Sequence, residues 1–133
     1  MTASLQHIDA LSLFVEDVAA AKAFYQRVFG VGVVFEDAAC AVVKFDNLLV
    51  NLLHVDSAQE IVAPTIVGSG GHGPCCQLSI FVDDVDAVCT ALRASGVAIL
   101  AGPIDRPWGM RTANFVDPSG HSWEVAQRLS GPQ

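Results

Sequence analysis

Basic residues are scarce in this chain: seven Lys and Arg stand against fourteen Asp and Glu, a formal charge of −7. Nucleic-acid binding draws on clustered cations, so no nucleic-acid partner is expected. An acidic balance suits a neutral or cationic small molecule, although solubility alone also accounts for it. Long apolar runs are missing too. None reaches the ~20 residues that cross a bilayer, so no membrane span is expected. The opening MTASLQHIDA shows neither a basic n-region nor an apolar h-region, and a cytoplasmic location is the expectation. No Cys-x-x-Cys pair occurs among Cys40, Cys75, Cys76 and Cys89. Buried free thiols in a reducing compartment are expected, with Cys75 and Cys76 on opposite faces of a strand. Nucleophilic sets of the Ser/His/Asp or Cys/His kind are not arranged in the sequence. The glycine-rich Gly68–Gly73 is followed by no Lys-Ser/Thr and opens no helix, so it is no phosphate loop.

What the chain has is apolar material in quantity, 52% of 133 residues, ample for a packed core. Ile8–Val15 alternates as a strand, and Asp17 caps a helix with the stripe Val18, Ala21, Tyr25 and Val28 that stops at Gly30. Strand-like runs follow at Val31–Glu36, Cys40–Phe45 and Leu48–Val55. Residues 56–74 read as a connector, irregular in its glycine- and proline-rich second half.

The pattern then recurs. QLSIFV at Gln77–Val82 answers ALSLFV at Ala10–Val15, and Asp84 answers Asp17, at a constant offset of 67 residues. A second helix with the stripe Val85, Val88, Cys89 and Leu92 ends at Gly96. Strands are expected near Ala98–Leu100, Met110–Val116 and His121–Gln127, with a long loop over Ala101–Gly109. An internal repeat of this kind governs the architecture. The expectation is an α+β fold: two tandem βαβββ units, repeat 1 at about 7–55 and repeat 2 at about 75–127, forming one domain over 1–133. A curved mixed sheet surrounds a cavity, with the helices outside.

Each first strand has two unlike faces. Leu11, Leu13 and Val15, like Leu78, Ile80 and Val82, are large and apolar and belong under a helix. Ala10, Ser12 and Phe14, like Gln77, Ser79 and Phe81, mix small, polar and aromatic side chains, which suits a cavity wall. Asp117-Pro118-Ser119-Gly120 is a tight turn with Asp117 capping it. Trp123 falls by parity beneath a helix, and Glu124 stands as a lone carboxylate in an otherwise uncharged strand.

The paired repeat, LFVEDVAAAKAFYQRVFG and FVDPSGHSWEV resemble the vicinal oxygen chelate superfamily of glyoxalases, bleomycin resistance proteins and extradiol dioxygenases. The resemblance runs from about His7 to Gln127. Pro107-Trp108-Gly109, followed by Arg111, is most similar to the bleomycin-resistance branch. Such a resemblance implies the fold, and a homodimer, but no single activity. In its metal-dependent members the ligands stand on the first and last strand of each repeat, which here places Ala10, Asn51, Gln77 and Glu124 in those positions. Alanine offers no donor and the amides carry no charge, so no metal site and no cofactor are expected. His7, His54 and His121 have the wrong strand parity to complete one, and His72 sits in the connector.

The reading that follows is a small-molecule-binding protein. Glu124 binds a cation or hydrogen-bond donor, and Gln77, Asn51, Ser12 and Ser79 supply neutral polar groups. Phe14, Phe81 and Trp108 supply aromatic surface, with Trp108 on a loop over the cavity mouth. Arg111 either grips a ligand carboxylate or pairs with Asp105. The alternative is a lyase, isomerase or dioxygenase-like enzyme acting through Glu124, with or without a divalent metal.

Overall fold

The computed structural model describes residues 5–68 and 73–130, and the chain divides into two compact units, Met1–Ser69 and Gly70–Gln133. In unit 1, β1 (Ala10–Val15), β2 (Gly32–Glu36), β3 (Cys40–Lys44) and β4 (Leu49–His54) form a mixed sheet in the order β1-β4-β3-β2. The pair β1–β4 is parallel and the others antiparallel. Helix α1 (Val18–Phe29) joins β1 to β2, and α2 (Val55–Val62) follows β4. Unit 2 repeats the plan with β5 (Gln77–Phe81), α3 (Val85–Ala94), β6 (Ala101–Arg106), β7 (Met110–Val116) and β8 (Ser122–Arg128), in the order β5-β8-β7-β6. The α+β fold of two βαβββ units is therefore observed.

Both long helices start as their sequences dictate. The Asp17 carboxylate accepts the Ala20 N–H and that of Asp84 accepts the Ala87 N–H, each satisfying an N–H that has no partner within its helix. Gly30 ends α1 in the left-handed conformation at φ 68°. Along α1 the buried residues are Ala21, Phe24 and Tyr25, with Tyr25 stacked on Phe29 at 5.4 Å and Phe29 edge-on to Phe45 at 5.5 Å. Leu13, Val15, Val50, Leu52, Ala41 and Val43 are buried on one face of the first sheet. Each large apolar side chain so enclosed contributes about 1.5–3 kcal/mol. In unit 2, Val85, Cys89 and Leu92 of α3 are buried, and α3 packs on β7 and β8. Trp123, 3% exposed, belongs to the core as its parity required.

Three expectations need correction. The connector 56–74, to which no element was assigned, opens within a helix. His54 Nδ1 accepts the Asp56 N–H at its start, and Ala58 is fully buried against Cys40 and Leu53. Gln59 then holds the following segment, donating to the Thr65 carbonyl at 2.8 Å and accepting from the Val67 N–H at 2.9 Å. Phe14 and Val42 pack on the same cluster. By the two-residue period of a strand, Phe14, Leu53, Cys40 and Val42 share the face assigned to a cavity, so α2 covers part of that face in unit 1 and Phe14 packs beneath it.

The stretch read as a loop, Ala101–Gly109, is mostly strand β6, and Ala98–Leu100 is not strand. Pro103 stands within β6, the outer strand of its sheet, where a residue without an N–H is tolerated. The register shifts between Ala101 and Ile104, and Gly102 has φ 101° with no room for a side chain: a Cβ there would lie 2.3 Å from the Thr112 carbonyl oxygen. Finally, Cys40 and Cys89 are buried but Cys75 and Cys76 are exposed, because β5 starts only at Gln77.

No described helix is long and apolar enough to cross a membrane.

Candidate functional site

The register of unit 2 brings the candidate residues into rows across one face of the sheet. Glu124 on β8 is the register partner of both Ser79 on β5 and Asn114 on β7. On one side of this row lie Gln77, Ser122 and Val116, and on the other Phe81, Ala126, Thr112 and Ile104. A further row holds Arg128, Met110 and Arg106. Side chains two apart on a strand point the same way, so these residues share a face.

Hydrogen bonds join the rows' members. The Ser79 hydroxyl donates to Glu124 Oε1 at 2.8 Å, and Gln77 Nε2 donates to Ser122 Oγ at 3.0 Å. Arg106 Nε donates to the buried Thr112 hydroxyl at 3.0 Å. Two aromatic rings stand exposed, Phe81 at 62% and Trp108 at 68%. Each has a guanidinium over it: Arg128 lies 5.2 Å from the Phe81 ring centre and Arg106 lies 5.9 Å from that of Trp108. Trp108 occupies the tight β6–β7 turn, closed by the Gly109 N–H donating to the Arg106 carbonyl, rather than a long loop.

Arg111 is not part of this face. It lies in register with Gln127, one strand step out of phase with Glu124, and reaches the α3 side. Its Nε and Nη2 grip Asp105 at 2.6 and 3.2 Å, and its Nη1 reaches Asp86 on α3 at 3.0 Å. This fork holds the Asp105 carboxyl below its ordinary pKa and raises that of Arg111. Of its two expected roles, the pairing with Asp105 is the one found.

Unit 1 carries the matching pair. Ser12 and Asn51 are register partners across the parallel β1–β4 pair, as Ser79 and Glu124 are across β5–β8. Among the described residues, Asn51 Oδ1 is buried without a hydrogen-bond partner. A buried acceptor left so costs about 1–3 kcal/mol until a water or ligand donor meets it.

Neither unit offers a divalent-metal donor set at the positions that the resemblance implies. Ala10 has no donor atom, and Asn51 and Gln77 are neutral amides. Among the described residues no three of His, Cys, Asp and Glu converge. His7 pairs with Asp9 at 3.0 Å and His54 caps α2, while His72 lies outside the described residues. Asp117 is 3% exposed and serves its turn, accepting the Ser119 and His121 N–H groups at 2.9 Å each.

Reading the sequence missed Arg106, Thr112, Asn114 and Arg128. Thr112 and Asn114 could have been found from the parity of β7, and Arg128 from one more residue of β8, whereas Arg106 had no register until β6 was recognised as a strand.

Residues 5–125 match the family model of the Glyoxalase/Bleomycin resistance protein/Dioxygenase superfamily, and the chain belongs to that superfamily. It is similar to a solved glyoxalase/bleomycin resistance protein/dioxygenase from Nocardioides, with a TM-score of 0.87 and 23% identity over 99% of this chain and 89% of the other. A glyoxalase-related enzyme from Fulvimarina pelagi gives 0.79 and 24% identity over 93% and 89%. Lactoylglutathione lyase from Agrobacterium tumefaciens gives 0.74 and 25% identity over 93% and 95%. No curated protein matches the chain.

Proposed function

We propose that this protein binds a small organic molecule on the Glu124 face of unit 2, without a resident metal. The observation that carries the reading is the Ser79–Glu124 pair. It is a single carboxylate, already oriented by one hydroxyl, set among the neutral polar groups of Gln77, Ser122 and Asn114. Glu124 keeps acceptor capacity for a donor or cationic group on a ligand. Exposed Phe81 offers flat apolar surface in the adjoining row, and exposed Trp108 stands at the β6–β7 turn beside Arg106. Ser12 and the unpartnered Asn51 oxygen supply the equivalent polar pair in unit 1. Exposed Val34 and Phe35 on β2, and Ile104 on β6, support a homodimer that covers sheet edges.

The test is a thermal-shift panel of planar antibiotics, α-keto acids and aromatic amines on the wild type and on Glu124→Gln. A ligand that raises the melting temperature of the wild type and loses affinity in a folded Glu124→Gln variant supports the reading. Ligands that bind both proteins equally defeat it.

An enzyme of the lyase, isomerase or dioxygenase kind acting through Glu124 is the second reading. The likeness to a lactoylglutathione lyase favours it. Stoichiometric metal in protein purified without chelator, with a clear rise in melting temperature on adding Ni²⁺, Mn²⁺, Zn²⁺ or Fe²⁺, would replace the first reading by the second.

A further inference from the structure

Two of the chain's seven cations stand on the Glu124 face, flanking Met110 in one row of the second sheet. Among the described residues neither Arg106 nor Arg128 forms a salt bridge, whereas Arg111 on the opposite face binds two carboxylates. Each unpaired guanidinium rests over an aromatic ring instead. A guanidinium seated on a ring keeps its in-plane N–H groups free for an oxyanion. Only the Nε of Arg106 is engaged, by Thr112.

Both side chains lean out of their own row. Arg106 reaches Thr112 and Arg128 reaches Phe81, and those two residues flank Ala126 in the next row. Ala126 is buried beneath them, in the row directly beside that of Ser79, Glu124 and Asn114. Arg128 stands four residues along β8 from Glu124, roughly 13 Å at ~3.3 Å per residue, and its side chain narrows that gap by leaning back to Phe81.

We propose that this face takes an aromatic carboxylate bearing a hydrogen-bond donor at its far end. Arg106 and Arg128 receive the carboxylate, Trp108 and Phe81 border the ring, and Glu124 accepts the donor. The proposal rests on the Glu124 face being a ligand site, and it adds the ligand's chemical class. The chain's net charge of −7 acts weakly here, since fields are screened within about 8 Å at physiological salt. One carboxylate does matter. Asp83 lines a groove of about 210 Å³ with Phe81, Val82, Gln127 and Arg128, so the anion sits on the Ala126 side of Arg128 and not in that groove.

The experiment is calorimetric titration of the full chain with four probes: 4-aminobenzoate, 4-aminobenzamide, benzoate and phenyl phosphate. The proteins are wild type, the doubles Arg106→Gln/Arg128→Gln and Arg106→Lys/Arg128→Lys, and Glu124→Gln, each checked for fold by circular dichroism. Wild type should bind 4-aminobenzoate at least ten-fold more tightly than 4-aminobenzamide. The Gln double should lose that preference and the Lys double keep part of it. Glu124→Gln should weaken 4-aminobenzoate but not benzoate. Equal affinity for acid and amide, acid binding unchanged in the folded Gln double, tighter binding of phenyl phosphate, or no binding of any probe each overturns the proposal. Amide binding that needs Glu124 while the arginines are silent leaves the ligand site standing and removes the anion. Acid binding that needs the arginines but not Glu124 keeps the anion seat and removes Glu124 from the proposed function.

Discussion

Ser79 donates its hydroxyl proton to the Glu124 carboxylate across the parallel β5–β8 pair, at 2.8 Å. Ser79 is exposed and Glu124 half-buried, so the bond orients the carboxylate more than it stabilises the fold. Ser79→Ala is expected to cost no more than about 1 kcal/mol in urea denaturation, the usual net worth of one such bond. Ligand affinity should fall by more than that, because the freed carboxylate samples other rotamers. A stability loss larger than the affinity loss would assign the pair to the fold alone.

Arg111 ties the β6–β7 hairpin to α3 through Asp105 and Asp86. The Asp105 carboxyl is held below its ordinary value, chiefly by its hydrogen bond from Arg111. A carboxyl depressed in the folded state contributes stability that is present above its unfolded pKa of about 3.9 and is lost as pH falls through the folded value. Asp105→Asn should therefore melt lower than wild type at pH 6, and the two melting curves should converge as pH is taken below about 4. Scanning calorimetry from pH 6 to pH 2 checks this. A gap that stays constant over that range would show that the Asp105 charge plays no part.

Gly102 is the position where β6 tolerates no side chain. At φ 101°, and with a Cβ 2.3 Å from the Thr112 carbonyl oxygen, Gly102→Ala must either strain the backbone or move β6 away from β7. A loss of about 2–4 kcal/mol is expected, combining backbone strain with a steric clash. Urea denaturation measures the loss, and hydrogen exchange should show faster amides at the paired residues of β6.

Thiol reactivity should split two and two. Cys75 and Cys76 are exposed and should react with Ellman's reagent at once at pH 8. Burial pushes the thiols of Cys40 and Cys89 up, and the thiolate is the reactive form, so both should wait for unfolding. Four fast thiols per native chain would contradict the packing of Cys40 beneath α2 and of Cys89 in α3.

The parts of the fold that could be read from sequence are those set by local chemistry and by the repeat. Asp17 and Asp84 announced two helices through their capping side chains. The offset between ALSLFV and QLSIFV made the two units legible, and strand parity set Ser79 on the same face as Gln77 and Phe81. What escaped depended on tertiary context. Residues 55–62 make a helix because Ala58 finds Cys40 and Leu53 and Gln59 pins Thr65 and Val67, contacts with no local signature. Ala101–Gly109 was expected as a loop, because an edge strand cannot be recognised as an edge until its neighbours are known. With β6 misread, Arg106 had no register, and the arginine row stayed invisible.

Helix α2 makes the two halves unequal in what they can tolerate. A library of all single substitutions, scored separately for cellular abundance and for retention of ligand, should come out lopsided. On the face that α2 covers, changes at Phe14, Cys40, Leu53 and Ala58 should lower abundance. At Ser79, Phe81, Arg106, Glu124 and Arg128, which no helix of unit 2 roofs, they should spare abundance and erase retention. One short helix thus sets the two halves of a repeated architecture under different constraints.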